Sequence, residues 1–430
     1  MDIRRPFQRD EFEIAIICAL PLEFDALCLL LDERWDEDGD QYGRAAGDNN
    51  IYHTGRIGKH PVVIVLLSAA GKAHAAGTSA SMRSSYAGLR LTLLVGICGG
   101  VPSSHQYGEV FLGDVIISKS IVQYDIGSQY PHAFIRKNDI TSSMSMPSKE
   151  VRNLLVTLET DYGRDWLLEK STNFLDDLYA NAALRKRESI YEHPGPADDK
   201  LFEATYHHKH HKSSGHICNK CDEGHDSICE EALELTCEDL KCEGQYLVNR
   251  TRSEMQESTE ADLGTQASNF SIHTGTFASG DKQMRSAQHR DIVAKKENVI
   301  AFETEGAGVW DELPCIIVKG VYNYADSHES EKWQNFAAAT AASTAKALLL
   351  RYIQTDKKLV KYDFISCSDA SPTSEASVDP ASTHQHVLMG APDKTLPESS
   401  GEGVEDNSFS RRGRFPRFRH RREKQPVPQR

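Results

Sequence analysis

Four short stretches of this 430-residue chain set acidic or amide side chains beside glycines or at the ends of apolar runs. In AFETEGAGVW (301–310), Glu303 and Glu305 flank Thr304 just before a Gly/Ala run. Alternate residues of an extended segment share a face, so both acids would point the same way. Two carboxylate oxygens suit a vicinal diol, one accepting from each hydroxyl; a solvated acidic turn would use the same residues. In VGICGGVP (95–102) a buried strand ends in Gly96, Gly99 and Gly100. Glycine lets a backbone approach a ligand closely, or simply turn tightly. GICGGV lacks the GxGxxG spacing of a dinucleotide site, and no GK followed by Ser or Thr marks a P-loop. In VKGVYNYADSH (318–328) an apolar run opens into Asn323, Asp326 and His328. Strand ends are where open α/β sheets present ligand-binding groups, although Asp326 also suits a turn or helix cap. In CALPLEFDAL (18–27), Pro21 suits the first turn of a helix. Glu23 projects from that turn, where charge alone would favour it.

The elements that must position these groups are legible as periodic runs. Ile14–Leu20, Val62–Leu67, Leu91–Ile97, Val115–Ser118 and Cys315–Val321 are short, β-branched and apolar, as strands buried on both faces are. Ala69–Tyr86 and Trp333–Ile353 read as helices on propensity. Strands alternating with helices predict an α/β layered fold with a sheet at its centre. After an N-terminal arm (1–10), the periodic signal covers 11–136 and 271–354. Between them, 137–270 reads as a large insertion of low order, with a helix near Ser148–Leu158. Residues 355–430 read as a disordered tail from their Ser/Pro/Glu/Asp-rich composition.

Charge is unevenly spread. The net charge is −14, which argues against a general nucleic-acid binder. From 401 to 430, nine basic residues oppose four acidic ones, and the basic end at 411–424 suits an acidic partner, RNA, an anionic surface or nuclear import. No apolar run is long enough for a membrane-spanning helix, and no secretory signal is recognised. The expected location is cytoplasmic, with nuclear entry through the basic tail as the alternative. Cys18, Cys28, Cys98 and Cys315 sit in apolar runs and read as small buried hydrophobes. Cys218, Cys221, Cys229, Cys237 and Cys242 cluster within a Cys/His-rich segment, 207–242. Cys218 and Cys221 have the spacing of a zinc hairpin, so a structural zinc is expected to clip the insertion through them, with a thiol-rich loop as the alternative.

Taken in order, CALPLEFDAL, VGICGGVP, FLGDVIIS with QYDIG, ASGD, AFETEGAGVWD and KGVYNYADSH followed by WQNFAAATAA resemble the nucleoside phosphorylase/nucleosidase superfamily. The likeness is to the methylthioadenosine/adenosylhomocysteine nucleosidase-like branch, in the fungal version found at the N-terminus of immune-type proteins. It implies a three-layer α/β/α fold with a central mixed β-sheet. It also implies cleavage of the N-glycosidic bond of a purine nucleoside or nucleotide, by water or by phosphate. On the matching positions, Glu23 would place the nucleophile, within a region that includes Gly96, Gly99 and Gly100. Glu305 would hold the ribose hydroxyls, with Thr304 beneath the sugar. Phe277, Ala278 and Ser279 would line the base, and Asn323 would face its N7. No cofactor is implied for catalysis. Relatives usually assemble with themselves, so a homo-oligomer is expected.

Two departures matter. The family carries an aspartate where this chain has Asn323, and an amide cannot donate a proton as an acid. General acid catalysis contributes about 10²–10⁴-fold. A weakly catalytic nucleoside-binding or oligomerisation module is therefore the alternative to an enzyme. Hexameric phosphorylases also carry Arg just before and Ser just after the VG of the glycine motif, where Leu94 and Ile97 stand here. This favours water, unless Arg83, Arg285 or Arg290 supplies the positive charge. Those arginines, with Lys282 and His289, would equally suit a 5′-phosphate.

Overall fold

Each of the five apolar runs forms a strand, and both Ala-rich runs form helices. The computed structural model describes residues 4–104, 106, 108–131, 133–137, 147–211, 218, 221, 229–250 and 270–353. The expected tail, with its basic end at 411–424, lies outside the described residues. The strands are β1 (Ile14–Cys18), β2 (Glu33–Arg34), β3 (Tyr52–Ile57), β4 (His60–Leu66), β5 (Leu91–Gly100), β6 (Ser103–Ser104), β7 (Gly108–Glu109), β8 (Val115–Gln123), β9 (Gly127–Tyr130), β10 (Ala133–Arg136), β11 (Ile272–Ser279), β12 (Val299–Glu303) and β13 (Cys315–Asn323). The helices are α1 (Pro21–Cys28), α2 (Lys72–Ser85), α3 (Lys149–Thr157), α4 (Asp161–Leu184), α5 (Glu230–Leu233), α6 (Ala287–Glu297), α7 (Gly306–Glu312) and α8 (Gln334–Arg351).

Nine strands form one mixed sheet in the order β12-β11-β8-β13-β5-β1-β4-β3-β2. β1 runs parallel to β4 and β5, and β5 runs parallel to β13. β8 is antiparallel to β13. The far end of the long β5 also pairs antiparallel with β12, which closes β12, β11, β8, β13 and β5 into a ring. Every residue of β1 and β5 is buried. Burying one large aliphatic side chain is worth about 1.5–3 kcal/mol, so these strands carry much of the core.

Helices cover both faces of the sheet. Successive residues of a strand point to opposite sides. In β13, Gly320 lies against the backbone of Ala337 in α8, and a Cβ there would come within 2.0 Å of the Ala337 carbonyl oxygen. Ile317, on the other face, packs beside Gly306 of α7. α7 in turn meets α2 where Gly308 abuts Lys72 and Ala76. The three-layer α/β/α reading therefore holds. Helix α8 is buried without interruption from Phe336 to Leu349, because α4 and α1 cover the side that the sheet leaves open.

Within the segment read as an insertion, the expected helix near Ser148–Leu158 is α3, capped by the Ser148 hydroxyl accepting from the Val151 amide at 3.3 Å. The 24-residue α4 was not foreseen. It buries Leu167, Leu175 and Leu178. Its sequence mixes charges with apolar residues, because one face packs on α8 while the other meets solvent. This stretch is thus part of the main core and not low-order throughout. No helix among the described residues is long and apolar enough to cross a membrane.

Candidate active site

The site is assembled where β5, β12 and β13 end side by side. The register pairs Gly99 with Asn323 on one side and with Phe302 on the other, and pairs Gly96 with Lys319. Pro21 starts α1 directly after β1, and Glu23 in its first turn folds back over β5. One Glu23 oxygen accepts from the amides of Ala19 and Leu20 at 2.8 and 2.9 Å, and the other from the Ile97 amide at 2.8 Å. Only glycine leaves room for this at position 96, since a Cβ there would stand 2.0 Å from Glu23 Oε1.

Lys319 projects from β13 into the same space and is 1% exposed. Its Nζ lies 3.2 Å from Glu305 Oε2 and 3.8 Å from Glu23 Oε1. Glu305 stands just before α7 and also accepts from the Gly71 amide at 3.2 Å and from the Thr304 hydroxyl. Gly71, at φ +112°, precedes α2. The next amide, of Lys72, donates to Asp281 at 2.9 Å, while Lys72 Nζ pairs with Asp125 of QYDIG at 2.8 Å. Glu303 behaves differently from Glu305. Its Oε2 accepts from the Glu305 and Gly306 amides at 2.9 and 2.7 Å, capping α7. The chain leaves the strand conformation after Glu303, so the two acids are held in different ways although both reach the cavity.

These groups line a cavity of about 570 Å³. Asn323, Tyr322 and Met284 line it as well. Asn323 is fixed by accepting from the Ala325 amide at 3.0 Å and donating to Glu329 at 3.2 Å. Gly99 makes the space for it, since a Cβ there would lie 2.8 Å from Asn323 Oδ1.

Burial pushes the Glu23 carboxyl above the ordinary glutamate value, against the pull of Lys319. Burial and then the charge of Glu305 push Glu303 up as well. Burial would raise Glu305 too, but Lys319 and the hydrogen bonds from Thr304, Lys319 and Gly71 carry it below the ordinary value. Lys319 stays protonated: burial opposes its charge, and Glu23, Glu305 and Glu303 outweigh that. The result is a fixed cation beside one firmly ionised carboxylate and a second that takes up a proton more readily.

Sequence comparison agrees with this architecture. A family model described as the phosphorylase superfamily matches residues 13–166. A nucleotide-binding leucine-rich repeat (NLR)-like protein of Hyaloscypha variabilis is 27% identical over 354 residues, covering 81% of this chain. The chain spans 30% of that relative's length. Among solved structures, futalosine hydrolase of Helicobacter pylori matches at 15% identity and a TM-score of 0.43, covering 79% of this chain and 97% of that one. The 5′-methylthioadenosine/S-adenosylhomocysteine nucleosidase of the same organism matches at 14% identity and a TM-score of 0.44, with the same coverage of both chains.

Measured against the superfamily resemblance, Glu23, Gly99, Thr304, Glu305 and Asn323 all line the one cavity. Gly96 and Gly100 do not line it; they admit Glu23 and Val321, respectively, by lacking a Cβ. Phe277, Ala278 and Ser279 do not line it either. All three are fully buried in β11, and the cavity wall comes instead from Asp281 to Met284, just beyond the strand. Strand residues this deep are used for packing, and Ser279 Oγ accepts from the Ala307 amide at 2.9 Å. The three arginines are also engaged outside the cavity: Arg83 on Glu312 at 3.0 Å, Arg285 on Glu329 at 2.7 Å, and Arg290 on the Tyr324 carbonyl at 2.8 Å. Asp326 makes a turn, accepting from the His328 amide at 2.9 Å. Lys319 was missed, although a lone lysine inside an apolar strand was a usable signal. Cys218 and Cys221 come together away from this cavity, with other sulfur and imidazole donors.

Proposed function

We propose that this chain hydrolyses the N-glycosidic bond of a purine nucleoside or nucleotide. The observation that carries the reading is the buried Lys319, held between Glu23 and Glu305 in a cavity that Asn323 also lines. Glu305, kept ionised by Lys319, accepts the ribose hydroxyls and fixes the sugar. Glu23 takes a proton from the attacking water, and its raised pKa brings it nearer to neutral pH, where a general base works best. As the bond breaks the sugar gains oxocarbenium character, and the adjacent carboxylates stabilise that charge. The base leaves with the electron pair of the broken C–N bond, hydrogen-bonded by Asn323, and takes its proton from solvent. Every other role in this scheme belongs to a protein group.

Water is favoured over phosphate by charge. The cavity wall carries Glu23, Asp281, Glu303 and Glu305 against Lys319 and Lys282, and a phosphate dianion would need several further donors. The similarity to an NLR-like protein supports a place in a fungal immune-type pathway. A second reading, a nucleoside-binding module with little turnover, rests on Asn323. Its amide is tethered on both sides and has no acidic proton to give.

The test is to incubate the protein with adenosine, inosine, guanosine and ATP, with and without phosphate. Chromatography then measures free base and sugar phosphate. The proposal expects free base at rates independent of phosphate. Phosphate dependence with sugar 1-phosphate would replace hydrolysis by phosphorolysis. Nucleoside binding without base release would favour the module.

A further inference from the structure

The segment beginning at Tyr206 carries a second concentration of chemistry that the cavity does not use. His210, Cys218, Cys221 and Cys229 bring four donor atoms within 4.8 Å of one another, and His208, Cys237 and Cys242 bring three. A tetrahedral zinc with Zn–S near 2.3 Å and Zn–N near 2.0 Å holds its ligand atoms about 3.5–3.8 Å apart. In the first group, His210 Nδ1 lies 3.6 Å from Cys221 Sγ and 3.7 Å from Cys229 Sγ, while the sulfurs of Cys218 and Cys229 are 3.8 Å apart. In the second, His208 Nδ1 lies 3.6 Å from Cys237 Sγ and 3.7 Å from Cys242 Sγ. A disulfide would bring two sulfurs to about 2.05 Å, and the Cys218–Cys229 pair is far from that.

The tautomer of His208 fits as well. Its Nε2 lies 2.9 Å from the carbonyl oxygen of Leu235, which can only accept. The ring therefore carries a proton on Nε2, which leaves Nδ1, facing the two sulfurs, as the atom that can bind a metal. Metal-bound histidines are oriented in this way by a carbonyl behind the ring. The surroundings are not those of an ordinary core. Cys221, Cys229, Ala232 and Leu240 make a small apolar cluster of their own, apart from the main one. A cluster that small cannot order a polar segment unaided.

We propose that this segment binds two zinc ions: one in a complete site of His210, Cys218, Cys221 and Cys229, the other on His208, Cys237 and Cys242. The pair pins the segment against the strand-end loop beyond Asn323. There, the His208 amide donates to Ser327 Oγ at 3.1 Å, and Phe202 stacks on His328 with ring centroids 4.1 Å apart. The first site also gives Cys218 and Cys221, the expected zinc hairpin, their two remaining partners.

The test is elemental analysis of the full-length protein purified without chelator, with cobalt substitution as a second readout. Two zinc ions per chain are expected, with one lost in Cys221→Ser and one in Cys237→Ser. The cobalt form should show thiolate-to-metal charge-transfer absorption and the intense visible bands of tetrahedral coordination. If either variant fails to fold by circular dichroism, the wild-type stoichiometry and cobalt spectrum still decide. Less than one zinc per chain, with no uptake from zinc chloride under reducing conditions, overturns the proposal. A single zinc that survives Cys237→Ser overturns the second site. Neither readout depends on whether the chain cleaves nucleosides.

Discussion

At the scale of single residues, the cavity is governed by one cation among acids. Lys319→Met should destabilise the protein at pH 7 by about 3 kcal/mol, the usual cost of breaking a buried ion pair. It leaves Glu23 and Glu305 buried without their counter-charge. Carboxyls whose folded pKa is raised bind protons more tightly when folded, so they lose stability as pH rises. The penalty in Lys319→Met should therefore shrink between pH 7 and pH 5, measured as the urea midpoint. In the wild type, Glu23 must be ionised to act as base. The acid limb of kcat/KM should accordingly lie above the ordinary glutamate value of 4.5; a limb at or below it would remove Glu23 from that role. Asn323→Asp places a carboxyl beside Glu329, a like charge that raises its pKa and suits it to protonate the base. Base release should increase at least tenfold at pH 6, within the range of general acid catalysis. Glu23, Glu305 and Asn323 were legible in the sequence because each sits in a recognisable motif. Lys319 stood out only as a lone lysine in an apolar run; its role was not legible, because it depends on two acids brought to it from α1 and from the loop after β12.

At the scale of elements, glycines decide which chains can lie together. Gly96→Ala would drive a methyl group into the Glu23 carboxylate, and Gly320→Ala would drive one into the backbone of α8. Overpacking of this kind costs about 1–3 kcal/mol, more where backbone must move. Gly320→Ala should be the more damaging of the two to stability. Gly96→Ala should cost more in activity than in the urea midpoint, because a side chain yields before a helix does. The five buried strands and the two Ala-rich helices were legible, since continuous apolar runs and propensity speak locally. Residues 277–279, expected to line a base, lie in β11 and are buried, while 281–284 just beyond the strand line the cavity. Periodicity gives a strand its span, but the turn beyond it decides which side chains face the ligand. Helix α4 was hidden for a related reason: only its contact with α8 separates its apolar stripe from its charges.

At the scale of the whole molecule, the α/β/α core and the Cys/His segment meet at the loop that carries Ser327 and His328. Burial pushes His328 down to about 3, so it packs as a neutral ring between the two parts. If zinc holds the segment there, removing it with a strong chelator should lower the thermal midpoint and raise KM more than it lowers kcat, since the core side chains stay in place. The closure of β12 onto β5 could not be read from the sequence, because two strands far apart in the chain meet where Ala301 and Phe302 pair with Gly100 and Gly99, residues that carry no local pairing signal. That closure brings Glu303, Glu305 and Asn323 around one space, and the proposed reaction depends on it. The most direct measurement is base release from a purine ribonucleoside by the wild type and by Glu305→Ala under identical conditions. The expected result is free purine from the wild type and a loss of at least about 10²-fold in kcat/KM for the variant, the scale set by losing sugar orientation. Equal rates from the two proteins, or no purine from the wild type, would contradict it.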